Sequence, residues 1–215
     1  MRTSLRPFKK VFLSIGAVGA AASIAGLGTF ADFTSSTSAS HTVSTGTLAI
    51  ALGSAGTADN RLTVDATNLV PDDTVQRRVK LTNAAGSGKL NATAITLSTT
   101  ASPSSVLDTD ATNGLQMKIE RCSGFWTESS GTPYTYSCDL AVANDGLGTK
   151  SAVLAERRVI GSGLALSSMS ALTVGGTDDM VVTLRLPQAA DNTFQTKSST
   201  ITYTFAATQP AAGSK

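Results

Sequence analysis

Apolar and polar residues alternate with period two over short stretches of this chain, and turn residues separate the stretches. The clearest case is Thr74–Asn83. Val75, Val79 and Leu81 share one face there, while Thr74, Gln76, Arg78, Lys80 and Thr82 share the other. That pattern predicts a half-buried antiparallel strand. Arg77 falls on the apolar side, which suggests a strand end or an edge, where its head can reach water. Near the C-terminus, Met180, Val182, Leu184 and Leu186 alternate with Val181, Thr183 and Arg185 until Pro187. Ile201, Tyr203 and Phe205 then alternate with Thr200, Thr202 and Thr204.

Weaker segments follow the same rule. Thr45–Leu52 places Leu48, Ile50 and Leu52 on one face, and Leu62, Val64 and Ala66 alternate before the turn Pro71-Asp72-Asp73. Leu90–Thr99 has β character with a change of phase that a bulge near Ala94 would explain. Leu115, Met117 and Ile119 alternate up to Cys122, and Tyr134 and Tyr136 up to Cys138. Ser151–Ile160 threads onto a helix or a strand, and a short strand or loop is preferred. A turn or two of helix is expected only within Leu164–Leu172, from Leu164, Leu166, Met169 and Leu172. About eight to ten short strands with almost no helix predict an all-β protein, an antiparallel β-sandwich.

The N-terminus breaks this pattern. Arg2, Arg6, Lys9 and Lys10 precede an apolar run from Val11 to about Leu27, the layout of a secretory signal. Thr29 and Ala31 suit a signal peptidase, which places the cut between Ala31 and Asp32. An uncleaved anchor is the alternative, although the run is mostly Ala, Gly and Ser and no basic cluster follows it. The expected organisation is a signal peptide at 1–31, an arm at 32–44, a sandwich domain at 45–208 and a loose tail at 209–215. Cutting after Ala31 removes four of the 17 Lys and Arg and none of the 15 acids, so the remainder is slightly acidic. Without a basic cluster it lacks the footprint of a nucleic-acid binder.

The two cysteines, Cys122 and Cys138, lie in the exported part, where a disulfide is the favoured state. Closing that loop contributes about 3 kcal/mol in the chain-entropy model. A disulfide here would staple the base of a hairpin. Phe125 and Trp126 lie inside the loop, and either pack over the disulfide or form an exposed contact site. His41 is the sole histidine, in the polar arm, so no H-E-x-x-H zinc helix exists and a Ser-His-Asp triad would have to use it. Asp72-Asp73 and Asp178-Asp179 lack the spacing of known calcium loops and read as solvated turn acids. No catalytic residue, cofactor or metal ligand is expected.

Several segments together resemble the TasA/camelysin family. They are Gly28-Thr29-Phe30-Ala31-Asp32-Phe33, Ser44-Thr45-Gly46-Thr47-Leu48, Asn68-Leu69-Val70-Pro71-Asp72-Asp73 before Leu81-Thr82-Asn83, and Ile201 to Gln209. Leu186 to Gln195 is similar to the family's actinobacterial branch. Asp72 stands where the family pattern usually has Gly, and the Cys122–Cys138 stretch is absent from the Bacillus members. The resemblance implies a jelly-roll sandwich, export through a signal removed by signal peptidase, and a fibre-forming subunit of the extracellular or biofilm matrix, at the cell surface or secreted. Camelysin members are also described as surface metalloendopeptidases, a reading that the scarcity of histidine opposes. A surface adhesin is a further alternative.

The expected self-assembly element is the arm, Asp32 to Thr47, which includes Phe33, Val43, Thr45 and Thr47. It is rich in Ser and Thr, with one acid, no Lys and no Pro. Natural sheet edges are blunted by charge or Pro, so such an arm is suited to extend the edge of a neighbouring molecule. Thr200–Ala207 is a candidate acceptor edge. The partners expected are copies of the chain itself, the signal peptidase during export, and other matrix or cell-wall components.

Overall fold

The computed structural model describes residues 34–37 (backbone), 48–63, 69–86, 89–140 and 147–210. The chain divides at Phe33/Thr34, and every described residue belongs to the second unit. The described residues form eleven strands in order: β1 (Thr34–Thr37), β2 (Ile50–Leu52), β3 (Thr74–Asn83), β4 (Ala94–Ala101), β5 (Gln116–Cys122), β6 (Phe125–Glu128), β7 (Tyr136–Asp139), β8 (Lys150–Arg158), β9 (Gly161–Ala165), β10 (Thr177–Arg185) and β11 (Ile201–Thr208). A one-turn helix, α1, spans Val106–Thr109. It starts where Ser105 caps it and Asp108 reaches back to the Ser105 N–H, a reciprocal capping box.

Two antiparallel sheets form a sandwich, one in the order β1-β11-β4-β9 and the other β2-β3-β10-β5-β8. The alternation read from the sequence sets the inward rows. Ile95, Leu97, Tyr203, Phe205 and Ala207 come from the first sheet, and Val79, Leu81, Met117, Ile119, Met180 and Val182 from the second. Each row presents one face of a pleated strand, so the two faces interlock as a single core. β8 leads through buried Val159 into β9, carrying the chain from the edge of one sheet to the edge of the other.

A separate hairpin, β6–β7, lies against the outer side of the second sheet. Val181 points outward from β10, away from the core row of Met180 and Val182. It is buried beneath Trp126, Tyr136 and Cys138. The hairpin thus acts as a partial third layer.

The structure changes several expectations. Most of Ser151–Ile160 lies in a strand, Lys150–Arg158, that is nine residues long rather than short. Leu164 lies in β9, and the helix expected over Leu164–Leu172 reduces to a 3-10 turn at Ser170–Leu172. A window of four apolar residues at helical spacing misled because Leu164 and Leu166 alternate as a strand; helix and strand spacings coincide over so short a run. Among the described residues, the one α-helix instead sits at Val106–Thr109, signalled by the Ser105–Asp108 cap pattern. Leu62 lies in a turn that packs against the core, not in a strand. The register irregularity of β4 falls between Leu97 and Thr99, opposite β9, rather than near Ala94. The phase change there arises because buried Ala92 precedes the strand. Arg77 is buried on the inner side of β3.

Candidate assembly edge

β11 reads Ile-Thr-Tyr-Thr-Phe-Ala-Ala-Thr, with no charge, proline or glycine. Its alternating β-branched and aromatic residues favour an extended, half-buried strand. It pairs with β4 from Ile201↔Ala101 to Thr208↔Ala94 without a register shift. On its other side, β1 covers part of it: Thr34 pairs with Thr208, Ser35 with Ala207, Ser36 with Ala206 and Thr37 with Phe205. The strand singled out from sequence as an acceptor edge is therefore the strand that receives the N-terminal segment, here within one chain.

Apart from β1, now the outermost strand of its sheet, the described edges are protected. β9 is short, irregular against β4 and contains Gly161 and Gly163. β2 has three residues. β8 carries Lys150, Glu156, Arg157 and Arg158, and its register against β5 shifts twice. Charge, brevity and bulges are the usual means of preventing strand addition. β11 has none of them and depends on β1 for cover. Phe33, Val43, Thr45, Thr47 and His41 lie outside the described residues, as does the Ala31/Asp32 junction.

Cys122 and Cys138 form a disulfide with a Cα–Cα distance of 5.4 Å. The bond ties the end of β5 to β7. The hairpin, however, is made by β6 and β7, because the loop between the cysteines contributes its own strand. Strand alternation then separates the two aromatics. Trp126 faces inward at 4% exposure, while Phe125 faces out at 45%.

Polar contacts dock the hairpin, and those that reach outside it join residues distant in sequence. The Trp126 indole N–H donates to the Asp179 carbonyl at 3.1 Å, and the Tyr136 N–H donates to Gln76 Oε1 at 2.9 Å. Arg61 donates twice to the Glu128 carboxylate, at 3.1 and 2.6 Å, and the Tyr136 hydroxyl donates to the same group at 2.6 Å. The Arg61 hydrogen bond, aided by Tyr136 and opposed by burial, holds Glu128 below the usual glutamate range. Burial and the Glu128 hydrogen bond push the Tyr136 phenol up to about 12. The Arg61 guanidinium also stacks 4.5 Å from the Tyr134 ring centroid.

Of the acids expected to be solvated turn residues, Asp72 is exposed in its turn as expected, whereas Asp178 and Asp179 lie in β10 and are engaged by the fold. Asp178 is 3% exposed and accepts the N–H groups of Ser170 and Ala171, fastening the 3-10 turn to β10. Asp179 accepts two hydrogen bonds from Arg78. Asp108, also buried, accepts the Ser104 and Ser199 hydroxyls and the Ser105 N–H. Asp72 takes φ 75°, the left-handed region. That is a place where glycine fits without strain and Asp is better tolerated than most residues.

The model of the camelysin metallo-endopeptidase family matches residues 7–214, and the chain belongs to that family. No curated protein and no solved structure matches it. The family description implies a metal, but the described residues do not fit one. They include no histidine, both cysteines are joined, and the buried carboxylates are held by N–H and O–H donors of the chain itself. Among the described residues, no group of three or more His, Cys, Asp or Glu could hold an ion. Nor, among them, is any helix long and apolar enough to cross a membrane.

Proposed function

We propose that this chain is an exported structural subunit that assembles into fibres of the extracellular matrix by strand addition. The observation that supports it is the pairing of Thr34–Thr37 with an otherwise unprotected, uncharged edge of β11. An arm that satisfies its own β11 can satisfy another copy's with the same main-chain hydrogen bonds, so exchange costs few contacts. Each copy then gives an arm and receives one, a head-to-tail relation that continues into a filament. Signal removal at Ala31/Asp32 would free the arm a few residues before Thr34, making cleavage the trigger.

The test compares protein starting at Asp32 with protein starting at Thr45, by electron microscopy and sedimentation. The longer form is expected to give filaments and the shorter form to stay monomeric. Filaments of equal morphology from both would rule out the arm as donor.

The family description favours a second reading, a surface metalloendopeptidase. Chelator-sensitive cleavage of an unfolded substrate by the pure protein would establish it in place of the structural role.

A further inference from the structure

The two sheets differ sharply in charge. No residue of β1, β11, β4 or β9 is Asp, Glu, Lys, Arg or His. Each long strand of the other sheet carries three or four such residues. The outer face of the second sheet is covered in part by the β6–β7 hairpin and elsewhere carries ion pairs such as Lys118–Glu120 and Arg185–Glu156. The outer face of the first sheet carries small hydroxyl side chains instead.

The register fixes the layout. Thr202 lies opposite Thr100 and Thr204 opposite Ser98, with Thr96 next along β4 opposite Ala206. These side chains point away from the core row, since Thr204 lies between buried Tyr203 and Phe205, and Thr96 and Ser98 flank buried Leu97. Hydroxyls therefore repeat at roughly 4.8 Å across strands and roughly 7 Å along them. The Thr96, Thr100, Thr202 and Thr204 hydroxyls make no hydrogen bond within the described chain. A monomer's open sheet face normally carries mixed charge for solubility. This one offers methyl groups, free hydroxyls and no electrostatic repulsion.

We propose that this face is a lateral packing surface for a second copy of the chain, which joins filaments side by side. The proposal rests on the strand-addition reading for the filament itself. An uncharged array of small Thr, Ser and Ala side chains is self-complementary, because two such faces can interdigitate methyls and pair hydroxyls without bringing like charges together. Area sets its strength. Four strands at about 4.8 Å and about seven residues at about 3.4 Å give on the order of 500 Å² per copy. Two copies bury about 1,000 Å² in all, below the roughly 1,200–2,000 Å² of a stable complex. Isolated subunits thus associate weakly, whereas a filament presents many faces at once and gains by multivalency. A polysaccharide fits less well, because sugar faces stack on aromatic rings and this face has none.

Two variants test the proposal. Thr96→Lys with Thr100→Lys charges the face from β4, leaving the acceptor strand β11 uncharged, and Thr127→Lys with Ser137→Lys adds the same charge on the exposed side of the hairpin. Filaments of the parent and the hairpin variant are expected to bundle, while those of the face variant stay single at unchanged length. Independently of filaments, Thr204→Cys in concentrated protein is expected to form intermolecular disulfides at least tenfold faster than Thr127→Cys. Bundling of the face variant, or equal crosslinking at the two positions, would overturn the proposal. So would loss of retention on a matrix polysaccharide with bundling unchanged, which would assign the face to glycan instead. Fast crosslinking at Thr204 without any filaments would support the lateral surface while refuting the arm mechanism.

Discussion

Thr34 lies directly opposite Thr208, so the two ends of the domain meet in one antiparallel ladder. The cover this gives to β11 spans four residue pairs, ending at Thr37↔Phe205. Main-chain hydrogen bonds carry it, and proline removes a donor from such a ladder. Ser35→Pro combined with Ser36→Pro is expected to abolish filaments while leaving the melting temperature within about 4 °C of the parent, because a short edge strand contributes little to the core. Sedimentation and thermal unfolding of the same samples check both halves.

The disulfide gives a second prediction. Oxidised protein should be two hydrogens lighter than reduced protein by intact mass. Cys138→Ser should lower stability by about 3 kcal/mol, the loop-closure value, and melting by roughly 6–12 °C. Two freely alkylating thiols in unreduced exported protein would contradict the bond.

Trp126 is the chain's one tryptophan, so its fluorescence reports on the hairpin alone. Buried beside Cys138 and Val181, it should emit toward the blue and resist iodide quenching. Trp126→Ala should cost about 3–5 kcal/mol, as for other buried aromatics. Reduction should shift the emission to the red below the melting point of the core, since the bond holds the hairpin rather than the sandwich.

Acid should weaken the fold through Glu128 and Asp108. The Arg61 hydrogen bond lowers the Glu128 pKa from 4.5. Burial pushes Asp108 up from 3.8, but the Ser104 and Ser199 hydroxyls and the Ser105 N–H outweigh it and leave a net decrease. A group depressed on folding stabilises fully above its unfolded pKa and loses that contribution as pH falls through the folded one. Stability should therefore be level from neutral pH to about pH 5 and fall below about pH 4. Glu128→Gln should lower melting at pH 7 and flatten the decline in acid. An unchanged acid profile in that variant would remove Glu128 from the account.

Asp72 offers a backbone prediction. At φ 75° a side chain is strained and glycine is not. Asp72→Gly should raise stability by about 0.5 kcal/mol, the relief being partly offset by glycine's freer unfolded chain. Asp72→Val should lower it by about 1 kcal/mol or more, because a β-branched residue fits this region poorly. Denaturant unfolding of both variants measures the sign.

The period-two rows in Thr74–Asn83, Met180–Leu186 and Thr200–Ala207 were legible in sequence because each strand buries one face, and alternation records that directly. Cys122 and Cys138 were legible as a pair because the chain holds no other thiol. The Leu164–Leu172 segment was not, since a few leucines satisfy helix and strand spacing alike until a neighbouring strand supplies hydrogen bonds. The hairpin clasp was hidden for a different reason. Arg61 and Glu128 lie 67 residues apart, and Trp126 finds its acceptor on a main-chain carbonyl, which no side-chain pattern encodes. Sequence also treated Asp178 as a surface acid, although its two N–H donors exist only once Ser170 and Ala171 fold back onto β10. Local chemistry thus determined which residues face inward, while the partner of each edge, carboxylate and ring was decided by long-range closure of the two sheets.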